Sequence, residues 1–199
     1  MPAPIDFYFD FSSPYGYLAA EKINALAAQH GRSVNWRPIL MGAVFKLNGQ
    51  QPLTAIPMKG SYAKRDMLRS ARFMGVKFNL PSRFPIGGVA PTRAFYWLKE
   101  KNPQQAQQLA LACYRAFFVD DKDISKAEVV AEVARAMGIN AGEALDAMNS
   151  DAVKEATRKA VDAVIAAGVF GSPYIVVDGE PFWGADRLDQ VAAWLAKPW

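Results

Sequence analysis

Residues 5–18 read IDFYFDFSSPYGYL. The first five, IDFYF, are aromatic and β-branched, the composition of a strand. From Tyr15 to His30 apolar groups recur at Tyr17, Leu18, Ile23, Leu26 and Ala27, close to helical spacing. Between the two runs stands Ser12-Ser13-Pro14. Pro14 suits a first helical turn, where its missing N–H leaves nothing unpaired. Ser12 or Ser13 is then the capping residue, and Gly31 ends the helix. Residues 33–39, SVNWRPI, read as a second strand. The first 40 residues are therefore β-α-β, with one continuous helix expected over 15–30.

The rest of the chain fills in around that unit. Residues 41–58 read as loop, with Gly42, Asn48-Gly49, Pro52 and Pro57. A helix is expected over 61–74. Residues 75–91 hold three prolines and three glycines and read as an irregular loop. Helices follow at 91–99, 104–118, 125–136, 142–148 and 151–166. Ser125 and Glu128 have the spacing of a capping box. Residues 173–177, PYIVV, read as a strand, Asp178-Gly179 as a hairpin turn, 181–183 as the return strand, and 186–197 as a last helix. The order β-α-β, helical block, β-β-α describes a thioredoxin-like core of residues 1–40 and 168–199. An inserted helical domain occupies 41–167.

Composition narrows the class. The chain has 199 residues, 51% hydrophobic, with a formal net charge of +4 and a pI near 9.2. That is enough apolar material for a sizeable core and too little charge for a disordered chain. The basic residues are scattered, unlike a nucleic-acid tail, so no nucleic-acid partner is expected. No apolar run is long enough to span a membrane, and no secretory signal is visible. The single cysteine, Cys113, allows no internal disulfide and fits a reducing compartment. A cytoplasmic protein is expected.

The Ser-Pro corner raises a chemical question, because redox proteins often place Cys-Pro-x-Cys at such a strand-to-helix corner. A serine there cannot form a disulfide, but it can donate a hydrogen bond to a thiolate supplied by another molecule. A helix start favours an anion in the same place. The bland alternative is that the serine only caps the helix. The second corner is Gly171-Ser172-Pro173. The plain reading is a proline beginning an edge strand. In a thioredoxin-like core this corner faces the first and carries a cis proline, leaving the preceding N–H and C=O free to pair with an extended peptide-like ligand.

Three motifs, taken in order, resemble the kappa-class glutathione transferase family and, within it, the 2-hydroxychromene-2-carboxylate isomerases, relatives of bacterial disulfide oxidoreductases. They are Phe7-Tyr8-Phe9-Asp10-Phe11-Ser12-Ser13-Pro14-Tyr15, Gly168-Val169-Phe170-Gly171-Ser172-Pro173 and Trp183-Gly184-Ala185-Asp186-Arg187-Leu188. The resemblance implies a glutathione-dependent enzyme acting on a small aromatic substrate, and a homodimer. It assigns the catalytic serine to Ser13, directly before the proline, with Ser12 as the adjacent alternative. It assigns glutathione contacts to Ser13, to the backbone of Ser172 and to Trp183, Gly184, Ala185 and Asp186. Trp183 is expected half in the core and half as cofactor wall. Asp186 either caps the last helix or accepts from the glutathione α-ammonium, or does both.

On the substrate side the family builds its slot after the second strand. Lys46 and Lys59, with Lys64 and Arg65 nearby, are the cations there, and Phe84 is the expected lid; the alternative for each is an ordinary surface or core role. Phe117 and Phe118 read as helix packing, His30 as a helix C-terminal residue and Cys113 as a small core residue. No His/Cys/Asp/Glu cluster has metal spacing, so no metal is expected. Three functions remain in play: an isomerase that adds and then expels glutathione, a transferase that releases a conjugate, and a non-catalytic peptide binder.

Overall fold

Four short strands and ten α-helices make up the computed structural model, which describes residues 2–199. They begin with β1 (Ile5–Phe9), α1 (Pro14–Ala20), α2 (Ile23–Gln29) and β2 (Val34–Pro38). The helical block comprises α3 (Met41–Asn48), α4 (Lys59–Phe73), α5 (Val89–Lys101), α6 (Pro103–Phe118), α7 (Ala127–Ala136), α8 (Ala141–Asn149) and α9 (Asp151–Ala166). The chain closes with β3 (Tyr174–Val177), β4 (Glu180–Trp183), a 3₁₀ turn at Ala185–Arg187 and α10 (Leu188–Ala196).

The sheet order is β2-β1-β3-β4. β1 runs parallel to β2, with Phe7 opposite Trp36, and antiparallel to β3, with Phe7 opposite Ile175. Asp178 and Gly179 both take positive φ, 52° and 92°, and turn β3 into β4 as the Asp-Gly pair predicts. This is the expected thioredoxin-like core with a helical insertion.

Alternation along β1 sends Phe7 and Phe9 to one face and Tyr8 to the other. Phe7 and Phe9 stack at 5.3 Å, and Trp36 meets both edge-on at 5.1 and 5.2 Å. Phe95 of α5 and Tyr114 of α6 extend the aromatic cluster from the helical block. On the opposite face Tyr8 joins Ile39, Val164 and Val169. Both faces of the sheet are thus covered, which is what the near-continuous apolar run in β1 requires.

Three local expectations fail. Residues 41–48 are helix α3, not loop. The first N–H of α3, from Met41, is taken by the Asp10 carboxylate at 2.7 Å, so the helix is started by a residue 31 positions away. Gly49 at φ 69° ends it. The expected helix over 15–30 is broken between α1 and α2 at Glu21-Lys22. There the Glu21 carboxylate is held by both arms of Arg115 from α6, at 2.7 Å each. The Ser125 capping box does not form. Ser125 donates its hydroxyl and its N–H to Asp123 instead, and Lys126 stands at the α7 cap without a side-chain bond.

Candidate active site

The Ser-Pro corner forms as its sequence suggests. Ser13 has extended backbone, φ −91° and ψ 114°, and caps α1 by accepting the Gly16 N–H at 3.0 Å. Its own proton is donated to the carbonyl of Ser172 at 2.9 Å. The Ser13 hydroxyl therefore joins the two corners. The Ser172–Pro173 peptide is cis, as expected. The Ser172 hydroxyl accepts the Asp10 N–H at 2.8 Å, and the Ser172 N–H has no hydrogen-bond partner among the described residues.

Glycine is required where the corners meet. A Cβ on Gly16 would stand 2.7 Å from the Ser172 hydroxyl and 2.8 Å from that of Tyr114. Tyr114 is fully buried and donates to the Asp10 carbonyl at 2.8 Å.

The two neighbouring serines separate cleanly. Ser12 accepts the Ile86 N–H at 3.0 Å and so faces the proline-rich loop. Ser13 alone reaches the cis-proline corner.

The third motif lies beside that corner. Gly184, at φ 119°, donates its N–H to the Pro173 carbonyl at 3.1 Å. Glycine suits this position because L side chains rarely adopt so positive a φ. Ala185 is the buried first residue of the 3₁₀ turn. The Asp186 carboxylate caps no helix; its side chain is 74% exposed and lies 3.4 Å from the Arg187 guanidinium. Trp183 corrects its expectation. It is 58% exposed rather than half in the core, and its ring meets Phe170 edge-on at 5.0 Å and lies against Gly171. β4 is an edge strand, and the outward position of Trp183 follows from the strand alternation that buries Phe182.

The substrate-side residues are dispersed. Lys46 is exposed on the last turn of α3, and Lys59 is exposed at the start of α4. Neither side chain makes an ion pair among the described residues. Phe84 is half-buried, its ring 6.4 Å from those of Phe117 and Phe118, which anchors it on α6. α4 is joined to the corner by Tyr15, which donates to the Asp66 carboxylate at 2.5 Å. This bond is the main reason the Asp66 carboxyl lies below the usual carboxylate range. Burial and the same bond push the Tyr15 phenol up.

Asp10 was not singled out from sequence. It sits between Phe9 and Phe11 at the end of β1 and is only 5% exposed. Its carboxylate accepts the Ser12 and Met41 N–H groups, each at 2.7 Å. Burial outweighs these two bonds and raises its pKa to about 6. The available signal was a lone carboxylate inside an aromatic strand end.

Cys113, Phe117 and Phe118 are buried in the core as expected, and burial pushes the Cys113 thiol up to about 12. His30 stands at the C-terminus of α2, where its backbone N–H bonds the Ala27 carbonyl. Among the described residues no group of metal-ligating side chains occurs and no helix is long and apolar enough to cross a membrane.

The DsbA-like thioredoxin domain, as a family model, matches residues 4–196. A 2-hydroxychromene-2-carboxylate isomerase of Sphingobium xenophagum is 30% identical over 200 residues, covering 98% of this chain and 99% of that protein. Glutathione S-transferase kappa 2 of Caenorhabditis elegans is 29% identical over 208 residues, covering 98% of this chain and 92% of its own. Among solved structures, a 2-hydroxychromene-2-carboxylate isomerase superposes with a TM-score of 0.87 at 25% identity, over 97% of this chain and 94% of the other.

Proposed function

The chain belongs to the DsbA-like thioredoxin domain family, and from that premise we propose that it is a glutathione-dependent isomerase of 2-hydroxychromene-2-carboxylate-type aromatic substrates. The observation that carries this reading is the Ser13 hydroxyl joined to the Ser172 carbonyl across the two corners, in a chain whose one cysteine is buried elsewhere. With no thiol at the corner, the sulfur must come from a bound molecule. The relatives named for glutathione transfer and for chromene-acid isomerisation support glutathione as its source.

The residues present fit that cofactor. The unpartnered Ser172 N–H and the Ser172 carbonyl offer the donor and acceptor that an extended peptide needs. The exposed Asp186 carboxylate suits an α-ammonium, and Trp183 with Phe170 provides an apolar wall. Bound glutathione supplies a thiolate that adds reversibly to a conjugated double bond.

The chain's own contribution is binding and hydrogen bonding. When a ligand N–H takes the Ser172 carbonyl, the Ser13 proton is released to turn toward the sulfur. Ser13 then stabilises negative charge both before addition and after expulsion, so no further acid or base is required. On this reading residues 1–40 and 168–199 hold the cofactor. Residues 41–167 supply the substrate side, with Lys46 and Lys59 for the carboxylate and Phe84 as a wall. We place the enzyme in the cytoplasm as a homodimer.

The test is the fate of glutathione. Catalytic glutathione should support many turnovers of the chromene acid with no loss of thiol. If thiol is consumed in step with product and a stable conjugate appears by mass spectrometry, the enzyme is a kappa-type transferase instead.

A further inference from the structure

Asp10 is the most connected polar residue at the site, and its bonds divide into two sets. The backbone set holds the corners: its N–H donates to the Ser172 hydroxyl at 2.8 Å, and its carbonyl accepts the Ser13 N–H and the Tyr114 hydroxyl, each at 2.8 Å. The side-chain set reaches outward. One carboxylate oxygen accepts the Ser12 N–H and the other accepts the Met41 N–H. α3 has no other cap, because Leu40 at its start makes no side-chain bond.

We propose that Asp10 is a positioning residue whose carboxylate, by using both oxygens, fixes α3 and the segment after it against the Ser13 corner. In this way it sets the substrate side without holding the cofactor. An ionised carboxylate is the group that can accept at both oxygens; an amide or a protonated acid keeps one good acceptor. Stability does not explain the choice. Burial disfavours the charged form here more than its two hydrogen bonds favour it, so the charge at neutral pH costs the folded state. A buried charge of that kind serves geometry better than stability.

The tie can be cut from either end. Asp10→Asn removes one acceptor. Met41→Pro removes the donor, at the first position of a helix, where proline is tolerated, and after Leu40, whose extended backbone (φ −114°, ψ 95°) suits a residue before proline. Both variants keep every backbone bond of Asp10. The first readout is hydrogen exchange over residues 41–48. Each variant should speed it about tenfold, the effect of one lost buried hydrogen bond. The double variant should add nothing to the Met41→Pro effect, because residue 41 without its N–H leaves the Asp10 side chain no bond to α3 to lose. The second readout rests on the function proposed above: KM for the chromene acid should rise about tenfold, while calorimetric glutathione affinity stays within about twofold.

Exchange at wild-type rates in Met41→Pro overturns the proposal, and that variant decides alone if Asp10→Asn does not fold. Equal losses of glutathione affinity and substrate KM also overturn it, since the carboxylate would then be serving the whole site. If the wild-type protein binds no glutathione, the function proposed above fails. The exchange result still decides whether Asp10 holds α3.

Discussion

Replacing Ser13 by alanine tests the corner most directly, and the structure limits the size of the effect. Without ligand, the hydroxyl already makes two bonds, accepting from Gly16 and donating to Ser172. Its single proton therefore does not wait unused for a thiolate; it changes partner. A neutral hydrogen bond contributes about 0.5–1.5 kcal/mol and one to a charged group about 1.5–3 kcal/mol. The gain on exchanging a carbonyl for a thiolate is the difference, about 1–1.5 kcal/mol, or about one pKa unit. α1 is seven residues long, and the N–H groups of its first turn remain in the variant. Ser13→Ala should therefore raise the thiol pKa of bound glutathione by about one unit and leave part of its depression in place. The assay follows the ultraviolet absorbance of the bound thiolate against pH. Ser12→Ala, whose hydroxyl faces Ile86, should leave the titration unchanged. An unchanged titration in Ser13→Ala, or a shift in Ser12→Ala, would refute the assignment. A rise of three units or more would refute the partner exchange, since an already engaged proton has less to give. The lost cap should also lower folding stability by about 1 kcal/mol.

The buried carboxyl of Asp10 makes a pH prediction. Its folded pKa, about 6 against an ordinary 3.8, lies above the unfolded value. Its contribution to stability is therefore complete below that value and is lost as pH rises through about 6. Denaturant unfolding of Asp10→Asn should lack this loss, so the difference from wild type should move by about 2 kcal/mol in the variant's favour between pH 4 and pH 7; parallel pH curves would contradict it. Gly16→Ala should cost about 1–3 kcal/mol of stability by thermal unfolding, because its methyl group meets two hydroxyls held by buried elements; an unchanged Tm would mean the corner can open. Tyr15→Phe should raise the Asp66 pKa, observed by carboxyl NMR titration, since the Tyr15 hydroxyl is the largest influence holding it down; an unmoved Asp66 would mean that Arg69 and Ser70 hold it instead.

What was legible in the sequence was what short-range chemistry decides. β1 showed itself by composition and the β3–β4 hairpin by Asp178-Gly179. The starts of α6, α8 and α9 lie at Asn102, Asn140 and Ser150, which cap them as such residues do. Three motifs sufficed to bring Ser13, Ser172 and Gly184 into one neighbourhood. The features that stayed hidden depend on distant partners. α3 is started by Asp10 from another element, and its own residues carry no cap. The break after α1 is held by Arg115, 94 positions along the chain. Ser125 had two competing roles, and the nearer acceptor, Asp123, won. Alternation sets Trp183 on the face opposite Phe182, but that this face is left uncovered there follows from β4 lying at the sheet edge, which no local pattern in residues 180–183 records.

The sealed position of Cys113 bears on how such an enzyme meets oxidative stress. Mixed disulfides form by attack of a thiolate on an accessible disulfide. Cys113, fully buried on α6 with its thiol pushed up to about 12, presents neither the anion nor the access. When oxidised glutathione accumulates, this chain has no sulfur to exchange with it and so cannot be capped. Activity would then track the supply of reduced thiol alone and return as soon as that supply does, without a reductase acting on the protein itself.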